Sequence, residues 1–177
     1  MPGASIGKIL NLGYPGSVSR QVDAVIDNRP VKSNIVSNVE QEPSIVFGDP
    51  VVLNSDNTYT KFGASNTAAQ FSGIAARQVK QATDYYPTTG SYLPGEPCDV
   101  ISRGSVTVTC NVGTPTAGGK VYLRIAENVA IPAGIVGGFE AAADGTNTIE
   151  ITNARWTTGD IDANKTAELT LLSRNTP

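Results

Sequence analysis

The stretch GTPTAGGKV, Gly113 to Val121, ends a glycine-rich run in a lysine, which is the composition of a loop that wraps backbone N–H groups around a phosphate. Such a loop needs a first glycine five residues before the second, a Ser or Thr after the lysine to hold magnesium, and a helix starting there. Here Thr114 occupies the first glycine's position, Val121 follows Lys120, and VYLRIA alternates like a strand. The stretch reads as a turn between two strands. In DIDANKTAEL, Asp160, Asp162 and Asn164 fall at positions 1, 3 and 5 of a calcium loop. Lys165 then stands where the loop needs glycine, and Leu171 where it needs a bidentate glutamate, so an ordinary Asp/Asn turn is the default reading. Glu127, Glu140 and Asp144 lie in different loops, and spacing alone joins no two of them as an acid/base pair. Histidine is absent, which removes the commonest general base and metal ligand. The expectation is no catalytic residue, no metal and no cofactor.

Cys98 and Cys110 bracket CDVISRGSVTVTC. A turn centred on Gly104 would set Cys98 opposite Cys110 and Val100 opposite Val108, placing both thiols on a face with valines. Opposed cysteines can be bridged, but a protein kept in a cytosol favours buried free thiols. That compartment is expected because MPGASIGKIL lacks the basic start and apolar run of a signal peptide. No later segment approaches the ~20 apolar residues of a membrane span.

The elements that must carry these loops are short strands. The chain has 177 residues, of which 18 are Thr and 17 Val, residues that suit half-buried strands better than helices. Charged residues are 16 % against an average of about 25 %, so the polar surface is largely uncharged Thr, Ser and Asn. Net charge is −3 and the 13 basic residues are scattered, which argues against nucleic-acid binding. From Pro43 on, SIVFGDPVVL, TYTKF, QFSGIAARQV, the cysteine segment, VYLRIA, the alternation around Ile149 and Ile151, and AELTLLS make eight or nine strands separated by turn signals. That predicts an all-β body over residues 43–177, a β-sandwich or small β-barrel.

Residues 1–42 have neither a sustained period nor an aromatic beyond Tyr14. They read as an extended N-terminal arm, with a short helix over Ser19–Asp27 suggested by Val22, Val25 and Ile26 at helical spacing. Either the arm lies on another protein's surface or it covers its own domain. Tyr85, Tyr86 and Tyr92, in TDYYPTTGSYLPGEP, are candidate partner anchors; they can equally lie flat on their own body. Trp156, the single tryptophan, reads as filling a core edge. Gly134, Gly137 and Gly138 in IPAGIVGGFE suggest a bulged strand or a close backbone approach, with Gly137, Gly138 and Phe139 as candidates for a subunit contact.

One ordered set of features, IVFGDPVV, FSGIAAR, YLPGEPCDVISRGSVTV, GGKVYLR and ARWTTGDIDANKTAEL, resembles the structural cement, or head decoration, proteins of tailed bacteriophages. The likeness spans about Ile45 to Leu172, and the loop from Thr83 to Pro94 is longer than the pattern. The resemblance implies a non-enzymatic protein, usually a homotrimer, that binds the major capsid protein on the outer face of an expanded head and clamps its neighbours. It implies synthesis in the host bacterial cytoplasm and residence in the virion. A capsid would supply the surface that the arm lacks, with Ile6, Ile9, Leu12 and Tyr14 as its contacts. The alternative is a carbohydrate- or receptor-binding β-module of a virion, with Tyr85, Tyr86, Tyr92 and Trp156 as stacking faces.

Overall fold

The computed structural model describes residues 12–78, 80 and 90–173. In chain order the strands are β1 (Val18–Pro30), a short hairpin of β2 (Ile35–Val36) and β3 (Val39–Glu40), then β4 (Ile45–Val46), β5 (Pro50–Leu53), β6 (Tyr59–Lys61) and β7 (Phe71–Ala75). They continue with β8 (Ser91–Tyr92), β9 (Pro97–Val112), β10 (Lys120–Arg124), β11 (Phe139–Glu140), β12 (Thr148–Trp156) and β13 (Thr166–Leu171). The antiparallel pairings β9–β13, β13–β12, β12–β10 and β10–β11 bring β11 back beside β9. A parallel pairing of Phe139 with Cys110 then closes five strands into a barrel. The sheet also extends from β9 through β7 and β5 to β6, and β1 pairs with β9. The fold is all-β with a small barrel at its centre, as composition and strand spacing predict.

The cysteine segment is one continuous strand of 16 residues, not a hairpin. Cys98 and Cys110 therefore stand twelve positions apart on the same strand, about 40 Å at ~3.3 Å per residue, beyond any disulfide. Both thiols are free and buried. Gly104 does not turn the chain back; it bends it. Its φ of +116° is open to glycine, and a Cβ there would meet the Ala24 Cα at 3.0 Å and the Asp23 carbonyl oxygen at 3.2 Å. Across the bend the strand slips by one residue of its two-residue period. Cys98 and Val100 face one hydrophobic core while Val106, Val108 and Cys110 face another.

Opposite Gly104, β1 carries the compensating irregularity, with register shifts between Arg20 and Val25 and again before Ile26. A bulge adds residues to one strand only, so apolar positions no longer alternate strictly. That is why Val22, Val25 and Ile26 mimic helical spacing. Residues 19–27 are strand, not helix, and thirteen residues of the predicted arm belong to the body's own sheet.

The first core fills the barrel with Val106, Val108, Leu123, Phe139, Ile151 and Trp156 among others. Val121 and Leu123 face inward with half-exposed Tyr122 between them, as the alternation of VYLRIA implies, but Arg124, which the same alternation would put on the wet face, is fully buried. The second core gathers Ile45, Phe47, Tyr59, Tyr92, Cys98 and Val100 beneath β4, β5 and β8.

At one end of the barrel a charged cluster has an enclosed ion pair at its centre. Arg124 and Glu140 both have no exposed side-chain surface and pair in bidentate fashion, Nη2 to Oε2 at 3.0 Å. The same guanidinium donates to Asp144 at 2.8 Å and to the Ala126 carbonyl at 3.2 Å. Asp144 also accepts from Asn128 and Asn147, so the cluster ties the β10–β11 connection at Ala126 and Asn128 and the β11–β12 connection at Asp144 and Asn147 to β10. The backbone of Gly134 lies against the guanidinium, where any Cβ would overlap it.

Removing one partner of an enclosed ion pair leaves the other charge without compensation. Arg124→Met is expected to lower unfolding free energy by about 3–5 kcal/mol in denaturant titrations, and Glu140→Leu in the same chain to recover most of it. Hydrogen bonds from Asn128 and Arg124 hold the Asp144 carboxyl below the ordinary range. A depressed carboxylate stabilises the fold fully above its unfolded value, about 3.9, and less as pH falls through the lowered one, so Asp144→Asn should flatten the acid limb of stability against pH. Burial raises both thiols, Cys110 to about 11, so neither should react with a thiol reagent at neutral pH until denaturant is added.

Candidate functional site

The N-terminal segment joins the body at a root of six residues, Leu12 to Ser17. Gly16 N–H donates to the Thr107 carbonyl at 2.7 Å, and Thr107 N–H returns to the Ser17 carbonyl at 3.0 Å. Arg77 N–H donates to the Gly16 carbonyl at 2.6 Å, and the Thr107 hydroxyl to the Tyr14 carbonyl at 2.6 Å. The root thus lies along β9 as a short extension of the sheet. Gly16, φ +82°, crosses Gly48, φ +87°, at backbone contact. A Cβ on Gly16 would stand 2.9 Å from the Gly48 nitrogen, the Ala75 oxygen and the Phe47 Cβ, and one on Gly48 would stand 2.7 Å from the Pro15 Cβ. Only glycine fits either position.

Beyond this crossing the side chains turn outward. Tyr14 is 55 % exposed, with the Arg77 guanidinium 4.9 Å from its ring centre, a cation–π contact that fixes the ring while leaving much of it open. Leu12 is half-buried, and its N–H donates to Asp162 Oδ2 at 3.2 Å. Ile6 and Ile9, predicted with Leu12 and Tyr14 as contacts, lie outside the described residues, as do Tyr85 and Tyr86.

Other predicted positions face inward. Tyr92 is completely buried, its ring edge-on to Phe47 at 5.2 Å and its hydroxyl donating to the Ala76 carbonyl at 2.6 Å, so it offers no face to a partner. Trp156 is buried in the barrel, as read from the sequence. Gly137, Gly138 and Phe139 do mark a close backbone approach, but it is internal. A Cβ on Gly137 would overlap the Phe62 carbonyl, one on Gly138 the Asn111 amide, and Phe139 packs edge-on to Phe71 inside the barrel. Phe139 is a core residue and has no surface to give a second subunit.

The oxygens of DIDAN serve the backbone. Asp162 Oδ1 accepts from the N–H groups of Asn164 and Thr166, both at 2.8 Å. Burial pushes its carboxyl up, and the N–H donors of Thr166, Leu12 and Asn164 together overcome this and hold it below the ordinary range. Glu140 is paired with Arg124, and Glu168 with Ser19 and Arg20. Among the described residues no three His, Cys, Asp or Glu side chains gather as metal ligands.

Sequence reasoning missed one exposed apolar feature, the β2–β3 hairpin, where Ile35, Val36 and Val39 all stand in solvent. Its turn residues Ser37 and Asn38 both have positive φ, the backbone of a two-residue hairpin turn. Glu40 staples it by accepting from the Ser33 hydroxyl and the N–H groups of Asn34, Gln41 and Glu42. The available signal was IVSNVE, an Asn-containing pair between two β-branched runs, within a region read as aperiodic.

The fold matches a chain in the structure of the capsid of Myoviridae phage XM1, with a TM-score of 0.65 at 17 % identity, covering 95 % of this chain and 94 % of that one. No curated protein matches the sequence. The family profile described as structural cement protein (E217 gp24/Pam3 gp6) matches residues 3–172. With nearly the whole chain inside that match, the protein belongs to the phage structural cement protein family, a structural component of the capsid.

Proposed function

We propose that the protein assembles as a homotrimer on the outer face of the expanded head and reinforces it by laying its N-terminal arm on the major capsid protein. The observation that carries this reading is the root at Leu12–Ser17, a built attachment point whose aromatic side chain, Tyr14, faces outward. The body itself accounts for residues 18–30, so the arm proper is the seventeen residues before β1.

Energetics explain why such an arm needs apolar side chains and several copies. Ordering each residue costs about 1–2 kcal/mol of backbone entropy, while each main-chain hydrogen bond to the shell returns about 0.5–1.5 kcal/mol. Strand addition alone roughly breaks even. Burying Ile6 and Ile9 contributes about 1.5–3 kcal/mol each, which makes the single arm favourable but weak. Three arms on one trimer then act through effective concentration and can bind 10²–10⁴-fold tighter than one, by order of magnitude. The glycan-binding alternative is weakened, because two of its four proposed stacking faces, Tyr92 and Trp156, are inside the body.

The test is binding to expanded heads that lack the protein. The full chain should sediment with heads, raise the temperature at which they rupture, and show a solution mass near three times the 18.4 kDa chain. A chain lacking residues 2–11 should keep the same fold and mass and lose about 10²-fold or more in head affinity. Undiminished binding by the truncated chain would remove the arm from the account, and no binding by the full chain would remove the cement role on this shell.

A further inference from the structure

Asp162 divides its two oxygens between two jobs. Oδ1 takes both N–H groups of its own turn, from Asn164 and Thr166, and so shapes the entry into β13. Oδ2 reaches across 150 positions of sequence to the Leu12 N–H. Asp162 as a residue is 5 % exposed, so water competes weakly for its oxygens. The turn is fixed independently of the arm, since Asp162 N–H donates to the Thr166 carbonyl and Lys165 N–H to the Asp162 carbonyl, both at 3.0 Å. Oδ2 is therefore a stationary acceptor offered to the root. Thr107 holds Gly16 and Ser17, but upstream of that crossing the backbone bond from Leu12 to Asp162 is the hydrogen bond that reaches furthest toward the arm among the described residues.

We propose that Asp162 is a positioning residue for shell binding, its Oδ2 clasping Leu12 so that the arm leaves the body in one fixed direction. The proposal rests on the reading of the arm as the shell-binding element. A segment held in its bound direction loses less entropy on docking than a free tether, so the clasp acts on affinity without touching the shell.

The two-oxygen division supplies its own test. Asp162→Asn keeps one acceptor oxygen and replaces the other with NH2. Two donors at the turn against one at Leu12 favour keeping the oxygen on the turn, which leaves the amide NH2 facing the Leu12 N–H. In the free full-length protein, amide exchange at Leu12 and Gly13 should become about tenfold faster or more, with β13 protection unchanged. Head affinity should fall by about threefold to tenfold. Asp160→Asn, in the same loop and with a carboxylate that among the described residues accepts only from Ile161 N–H, should change neither. Unchanged exchange at Leu12 in a folded Asp162→Asn protein overturns the clasp. Faster exchange with wild-type head affinity overturns its positioning role. Should Asp162→Asn fail to fold, Leu12→Pro removes the donor instead, leaves the turn whole, and should loosen Gly13 and weaken head binding alike; a tight Gly13 or unweakened binding there is equally fatal. If the wild-type chain binds no heads, the cement reading falls separately, and exchange alone decides whether the clasp exists.

Discussion

Strand β9 shares its hydrogen-bonding edges with β1, β7, β11 and β13 and also takes the root of the N-terminal segment at Thr107. A strand has only two edges, so five neighbours can be served only if they take successive stretches of it. Sixteen residues, about 50 Å at ~3.3 Å each, supply that length, but a straight strand this long could not be one wall of a closed small barrel. Gly104 resolves the conflict. By bending β9 and shifting its period, one backbone position gives the first half of the strand to the second core and the other half to the barrel. The β1 bulge must sit opposite, because Ala24 fills the space that a side chain on Gly104 would need.

The same economy governs the surface loops. The chain between β10 and β11, and on to β12, fully buries none of its apolar side chains outside β11, and the Arg124 cluster stands in for a core. An enclosed ion cluster is a poor source of stability compared with hydrophobic packing, but its geometry is directional. Arg124 must meet Glu140, Asp144 and Ala126 at once, which leaves the loops one arrangement. Gly134, Gly137 and Gly138 are consequences of that arrangement, each giving up its side chain so that backbone can lie on Arg124, Phe62 or Asn111.

Local signals made the all-β class, the turn at Gly113–Val121, the inward face of Val121 and Leu123 and the interior place of Trp156 legible in the sequence. These depend on period and turn chemistry, which neighbours in sequence carry. What could not be read depends on partners far along the chain. A glycine in an alternating run signals a hairpin turn and an in-strand bend with equal strength, and only β1 across from Gly104 decides between them. The bulge in β1 erased its own two-residue period and left apolar spacing that imitates a helix. Tyr92 looked like a loop aromatic because nothing near it in sequence shows Phe47 and Ala76 closing around it. Of the candidate site, the outward place of Tyr14 was visible. The root was not, because Gly16, Gly48, Thr107 and Asp162 come from four separate parts of the chain.

On the proposed reading, in which the arm carries the shell contact, a protein that holds a shell together has to transmit force from that contact into its own core. An arm tethered by loose chain would let the shell move before the body resisted. Here the tether is short and its anchor is the sheet itself. Load arriving at Leu12 passes to Asp162 and so to β13, and load at Gly16 passes to Thr107 in β9 and to Arg77, two residues past the end of β7. β13 and β9 are hydrogen-bonded to each other from Thr166–Thr109 to Leu171–Gly104, so both routes meet in the barrel wall. Bonds loaded together along a strand must break together, whereas bonds at a frayed end break in turn. Placing the root in the middle of β9, at Thr107 rather than at either end, keeps those bonds in the first regime, and it is the bend at Gly104 that brings this stretch of β9 into the barrel wall.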